Sequence, residues 1–181
     1  MSHDGAWLSR LNIEPLDRGK HDRAAFSCGV DRIDNFLKST AAKQADEDFT
    51  KVYVAVEPPS NNILGYYSLS AHVIDIQSLP ENDRKRMPRY PTIPAIYLSM
   101  IAVDASMQKR GLGQFLMADV LKKCVSVADL IGSHFIVLDA INEDAARMYR
   151  RIGFHNLPTP GPETRMLMSM AKVRKAITAT L

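Results

Sequence analysis

The chain has 181 residues, 46% hydrophobic and 24% charged, with a formal net charge of +3. Those values are ordinary for a soluble globular protein of one domain, and the whole-chain charge is too small to indicate a partner. Cys28 and Cys124 lie far apart without ligand spacing, which argues against a disulfide scaffold or a metal site and suits reduced thiols. "MSHDGAWLSRLNIEPL" lacks a basic head followed by an apolar stretch, so no signal peptide is expected. No apolar run approaches the roughly 20 residues of a membrane span, and the chain reads as cytoplasmic.

In chain order, Leu11–Leu16 reads as a short edge strand limited by Pro15. Ile33, Phe36, Leu37, Thr40 and Ala41 recur at three and four positions and predict an amphipathic helix over about Asp31 to Asp46. "KVYVAVE" alternates as a strand, Pro58 to Asn62 turns, and "ILGYYSLSAHVI" returns as its hairpin partner. "SLPENDRKRMPRY" carries a short helix starting near Ser78 or Pro80, and "PTIP" reads as a rigid loop feeding a strand over Ala95–Val103. Leu112, Phe115, Leu116, Val120, Cys124, Val127 and Ile131 keep helical spacing as far as Gly132. "HFIVLDA" is a buried strand, "NEDAARMYRRI" a helix between Asn142 as N-cap and Gly153, and "RMLMSM" a closing strand. The order of elements predicts one α/β sheet with helices on both faces.

The stretch "MQKRGLG" lies between the strand ending at Val103 and the helix opening at Leu112. The first N–H groups of a helix lack intrahelical partners, and the helix dipole adds positive charge there. Gly111 and Gly113 let an anion approach the backbone without a Cβ in the way, and Lys109 and Arg110 add charge. The spacing is neither that of a P-loop nor that of the dinucleotide fingerprint. A glycine turn flanked by solvated cations is the alternative. Further on, Asn142, Ala145 and Tyr149 share one helix face at i, i+3 and i+7. The small alanine leaves room for a ligand along that face; a core-edge tyrosine is the plainer reading.

These two stretches carry a family resemblance. "LSMIAVDASMQKRGLGQFLMADVL" and "VLDAINEDAARMYRRIGF" resemble the GNAT acyl-CoA N-acyltransferases. Gln108-Lys109-Arg110-Gly111-Leu112-Gly113 fills the Gln/Arg-x-x-Gly-x-Gly/Ala signature, and Asn142, Glu143, Ala145, Tyr149, Gly153 and Phe154 fill the downstream one. "FSCGVDRIDNFLKSTAAKQ", "VYVAVE", "ILGYYSLSAHVI" and "RYPTIPAIYLSMIAVD" resemble the bacterial toxin branch of that family, over Leu16 to Met170. One departure is that the branch commonly has Gly-Arg-Leu-Ala-Val-Asp where this chain has Ser99-Met100-Ile101-Ala102-Val103-Asp104.

The resemblance implies a single GNAT domain over 1–181, with a donor-binding core over about 95–170 and a basic tail over 171–181. Its sheet would be mixed, mostly antiparallel and twisted, splayed at the central strands. It implies acetyl-CoA as cosubstrate and no metal. Backbone groups of Ile101, Ala102 and Val103 would meet the pantetheine, amides from Lys109 to Gln114 the pyrophosphate, and Asn142 the pantetheine arm; Gln108 and Ala145 complete the set. Tyr149 would be the acid, a phenol near pKa ~10, slightly above a thiol, that can favourably protonate the departing sulfur. The branch implies acetylation of the α-amine of aminoacyl-tRNA, a ribbon-helix-helix antitoxin as partner, and analogy favours a homodimer.

The acceptor rests on other features. An α-amine, with pKa ~7.7–8.0, keeps an uncharged fraction at neutral pH that a lysine does not. No convincing buried carboxylate stands out as a base, Glu57 and Asp75 being weak candidates, and that mildly favours an aminoacyl ester. Arg84, Lys85, Arg86 and Arg89 could steer a phosphate-rich acceptor or form an ordinary solvated helix face. The methionines at 100, 117, 148, 166 and 168, and the histidines, read as packing rather than as ligands. Three functions stay open: a tRNA-acetylating toxin, a GNAT enzyme acting on a protein or small amine, and a non-catalytic CoA- or nucleic-acid-binding module.

Overall fold

β-Branched residues set the first strands. In β2 (Lys51–Val56), Val52, Val54 and Val56 are buried, a pattern that suits a pleated surface covered by packing. β2 pairs antiparallel with β1 (Asn12–Pro15) and with β3 (Gly65–Asp75), the hairpin expected from alternation. Pro15, with no N–H to give, stands at the end of the edge strand. The computed structural model describes residues 6–180, with side chains as far as Thr178. The first five residues of the N-terminal stretch and Leu181 of the expected tail lie outside the described residues.

β4 (Thr92–Val103), β5 (Phe135–Ala140), β6 (His155–Asn156) and β7 (Thr164–Ser169) complete a seven-stranded sheet in the order β1-β2-β3-β4-β5-β7-β6. β4 and β5 run parallel, whereas β5–β7 and β6–β7 are antiparallel, so the sheet is mixed and mostly antiparallel. The β4–β5 ladder ends at Leu98↔Leu138, while β4 itself continues to Val103.

The chain divides into two compact units, Met1–Ser70 with Ser99–Val120 and Ala71–Leu98 with Leu121–Leu181. In the first, the expected Asp31–Asp46 helix is α1 (Asp31–Asn35), a π-helical turn over Phe36–Thr40 and α2 (Ala41–Asp46). Ile33, Leu37 and Ala41 on its inner face pack with Phe26, Val54 and Tyr66. Tyr66 is fully buried and donates its hydroxyl to the Ile33 carbonyl at 2.8 Å, which removes the cost of an unpaired phenol. Met100 packs half-buried against this core.

In the second unit, Ile74, Ile93, Phe135, Val137 and Leu167 form the core. Beside it Asp139 accepts from Arg165 Nε and Nη2, both at 2.8 Å, and from the Tyr97 hydroxyl at 2.8 Å. Arg165 chiefly holds that carboxyl below its usual range, against the opposing effect of burial.

Three expectations change. The strand β4 begins at Thr92, so Thr92–Pro94 of the expected loop join it, and the Pro94 carbonyl accepts from the His134 amide at 2.9 Å. β6 is an additional strand of only two residues. The basic segment after β7 is a helix, α6 (Met170–Thr180), anchored by fully buried Val173 and by Arg174 donating to Asp129 at 2.6 Å. Among the described residues, no helix is long and apolar enough to cross a membrane.

Candidate active site

The turn after β4 is built by side chains that spend their hydrogen bonds on the backbone. Asp104 accepts from Ser106 N at 3.0 Å and from Ser27 N at 3.0 Å, and Ala105 N returns a bond to the Ser27 carbonyl at 2.8 Å. Asp34, buried at the start of the α1 helix, holds the same segment by accepting from Ser27 Oγ and Cys28 N at 2.9 and 2.8 Å. Burial alone would raise its pKa, but the Cys28 and Ser27 donors outweigh it and keep it a carboxylate. The Gln108 amide then clamps the turn from above, Nε2 donating to the Cys28 carbonyl at 3.0 Å and the Val103 carbonyl at 3.1 Å.

So pinned, the chain passes through two left-handed residues, Lys109 (φ 62°) and Gly111 (φ 86°), before α4 (Leu112–Leu130) begins. Glycine takes φ 86° without the strain a Cβ adds, which favours Gly111 there, while Lys109 at φ 62° carries that strain itself. Leu112 is buried in the core, which leaves its amide as the group it can offer. The first intrahelical bond is Phe115 N to the Gly111 carbonyl at 3.1 Å, so the amides of Leu112, Gly113 and Gln114 precede the ladder. The first turn of α4 carries no acidic residue. A Cβ on Gly113 would stand in ordinary contact with Val103 Cγ2 at 3.8 Å. This is an exposed, positively polarised anion cradle.

Two further residues shape it, neither singled out by the motif. Gly65 on β3 admits the helix: a Cβ there would lie 2.9 Å from Leu116 Cδ1 and 3.1 Å from the Ala102 carbonyl. Trp7 lies under the Arg110 guanidinium, 4.9 Å from ring centroid to Cζ. Of the expected pantetheine contacts, Ile101 and Val103 are half-buried and Ala102 buried; the Val103 carbonyl already accepts from Gln108.

In the second unit, α5 (Glu143–Ile152) opens as expected with Asn142, whose Oδ1 accepts from Ala145 N at 2.8 Å. That cap occupies the acceptor oxygen and leaves the Nδ2 donors. Ala145 is half-exposed, and Tyr149 is buried against Phe154 edge-on at 5.9 Å. Burial pushes the phenol up to about 12, so it stays protonated at every physiological pH. The same shift bears on how Tyr149 would serve a departing sulfur. A phenol roughly three units weaker as an acid than a thiol near ~8.5 donates a hydrogen bond to a thiolate more readily than it gives up its proton.

The other candidates are resolved by their neighbours. Glu57 pairs with Arg10 at 2.8 Å and Asp75 caps Gln77 N at 2.8 Å, so each carboxylate is engaged away from a base's role. In the basic cluster Arg84 donates to Gln77 at 3.0 Å and Lys85 pairs with Glu81 at 2.7 Å, while Arg86 and Arg89 are exposed. Burial raises Cys28 to about 11 and Cys124 to about 12, which disfavours the thiolate of each at neutral pH. Met117, Met166 and Met168 are buried as read, but Met148 is 41% exposed.

Comparison with known proteins identifies the family. A protein of Sinorhizobium fredii named "Probable toxin TacT" is 36% identical over 181 residues, covering 96% of this chain and 98% of its own. The solved structure of AtaT complexed with acetyl-methionyl-tRNAfMet superposes with a TM-score of 0.83 at 27% identity, covering 91% of this chain and 98% of that one. AtaTR bound with AcCoA gives 0.80 at 27% identity, over 92% and 98%. The sequence model of the Acetyltransferase (GNAT) family matches residues 38–154, a stretch that contains both the cradle and the Asn142–Tyr149 helix. The chain belongs to the acetyltransferase (GNAT) family.

Proposed function

We propose that the chain is an acetyl-CoA-dependent N-acetyltransferase that acetylates the α-amine of an aminoacyl-tRNA, acting as a toxin restrained by a ribbon-helix-helix antitoxin. The observation that carries the donor half is the pinned turn Gln108–Gln114, with left-handed Lys109 and Gly111 and an acid-free helix start. The acceptor half is supported by the toxin relative and by the acetyl-methionyl-tRNA complex of AtaT. The residues present fit the donor: the helix start carries the sign an anion needs, with no acid in its first turn, and glycine at 111 and 113 keeps side chains off the backbone there. The single-domain organisation over 1–181 is part of the same proposal.

Acetyl-CoA, when bound, supplies an acyl group activated as a thioester. The amides of Leu112, Gly113 and Gln114, with Lys109 and Arg110, hold its phosphates by charge-assisted bonds. The β4 segment Ser99–Val103, past the end of the β5 ladder, offers extended backbone to the pantetheine; on α5, the Asn142 cap leaves its Nδ2 donors unspent. The Ile101 N–H donates to the acyl oxygen as negative charge collects there, a fixed dipole that needs no reorganisation. Tyr149 donates a hydrogen bond to the departing sulfur and keeps its own proton, as burial favours, so the CoA thiolate leaves stabilised and takes its proton from water. An α-amine with pKa near ~8 sheds its own proton to water, which removes the need for a protein base.

Arg86 and Arg89, exposed beside α3 (Glu81–Arg84), are the cluster members free to meet a phosphate backbone. Charge reversal at both is expected to weaken tRNA binding in a filter assay and to flatten its salt dependence; unaltered binding would assign them to the solvated surface.

The experiment that tests the function is transfer of label from acetyl-CoA to charged tRNA, the same tRNA deacylated, and cell protein. The proposal predicts label on charged tRNA alone, removed with the amino acid by mild base. Label on protein would establish the second enzyme class, and no transfer with intact acetyl-CoA binding would leave a binding module.

A further inference from the structure

The N-terminal turn stands outside every motif, yet it packs on the donor cradle. Its residues Leu8–Arg10 form a 3-10 turn preceded by Trp7, whose indole is buried. Buried Leu11 and the Arg10–Glu57 ion pair at 2.8 Å fasten the turn to the end of β2. Leu8 Cδ1 lies 3.6 Å from where a Cβ on Gly111 would stand, so the turn touches the left-handed corner itself. The Arg110 guanidinium sits over the Trp7 ring at 4.9 Å, and its Nη1 donates to Met107 Sδ at 3.4 Å.

Among the described residues, Trp7 Nε1 is buried without a hydrogen-bond acceptor, a cost that leucine or phenylalanine at this position would not carry. Packing alone therefore does not explain an indole here. What an indole adds is the strongest π face among side chains for holding a cation. A guanidinium held over a ring face keeps in-plane N–H groups for an oxyanion, whereas a free surface arginine must surrender its rotamer entropy on binding.

We infer that Trp7 is a positioning residue of the donor site, its indole holding Arg110 ready for a phosphate of the CoA nucleotide. The inference rests on the donor reading above and extends that site to the N-terminal turn. Arg110 touches the phosphate; Trp7 acts through Arg110.

The test is a double-mutant cycle on acetyl-CoA affinity by calorimetry, using the full chain, with Trp7→Leu, Arg110→Ala and the pair. At an exposed cation–π contact, Trp7→Leu is expected to raise Kd about 2- to 5-fold. In the Arg110→Ala background the same change should add nothing, and Trp7→Phe should recover part of the loss. Because Trp7 is the sole tryptophan of the chain, emission excited at 295 nm should change as acetyl-CoA is added. In Arg110→Ala that response should shrink. Equal effects of Trp7→Leu with and without Arg110 overturn the inference while leaving the donor site intact. Absence of wild-type acetyl-CoA binding overturns the donor reading and the inference together. If Trp7→Leu lowers the melting temperature enough to cloud the cycle, the Trp7→Phe cycle and the emission response decide.

Discussion

Two strand-to-helix turns of the same kind carry opposite chemistry in this chain. The turn from β4 to α4 is left open: no acid lies in its first helical turn, two residues are left-handed, and its amides point to no intrahelical acceptor. The turn from β5 to α5 is closed by its own side chains, with Asn142 capping Ala145 N and Glu143 and Asp144 answering the helix dipole. An anion is welcomed at the first and repelled at the second. What the second turn offers instead is a rigid helix whose inner face presents Tyr149. A helix start thus becomes a phosphate site only when the protein declines to satisfy it.

The largest expected effect separates the two turns by function. Tyr149→Phe removes only a hydroxyl, so acetyl-CoA affinity should hold within a few-fold while turnover falls by about 10²- to 10⁴-fold. Stopped-flow measurement of the chemical step checks this, and wild-type turnover would remove Tyr149 from the mechanism. A subtler change makes the open turn resemble the closed one. Gln114→Glu places an acid in the first turn of α4 and should weaken acetyl-CoA binding about 2- to 5-fold through the helix dipole, an effect that fades in high salt. Salt-independent weakening would instead point to lost packing. The smallest effect lies in the closed turn, where Asn142→Ala should cost about 1 kcal/mol of stability in denaturant unfolding through loss of the cap. Unchanged stability would show that water caps α5 equally well.

Much of this contrast is legible in the sequence because it is local. Glycine at 111, a cap at 142 and apolar spacing along α4 each act within a few residues, and they place the starts of α4 and α5 where the structure has them. What escapes is whatever another segment must supply. Gly65 looks like any strand glycine until α4 approaches it, and Trp7 is an isolated aromatic until Arg110 lies over it. The α6 helix reads as a charged tail because only Val173 and a distant Asp129 make it fold back. β6 is too short to show a period, and Pro94 lies inside β4 although proline signals a loop. The π-helical turn over Phe36–Thr40 leaves the apolar spacing intact, so nothing in the pattern marks it.

The central claim is that backbone geometry at Gly111 holds the acetyl donor, and calorimetric titration with acetyl-CoA tests it directly. Gly111→Val forces a β-branched residue into φ 86°, which costs about 1–3 kcal/mol of strain or else moves the amides out of register. The account predicts measurable binding by the wild-type chain and loss of detectable heat in the variant, with its melting temperature lowered only modestly. Equal affinity in the two folded proteins would contradict it.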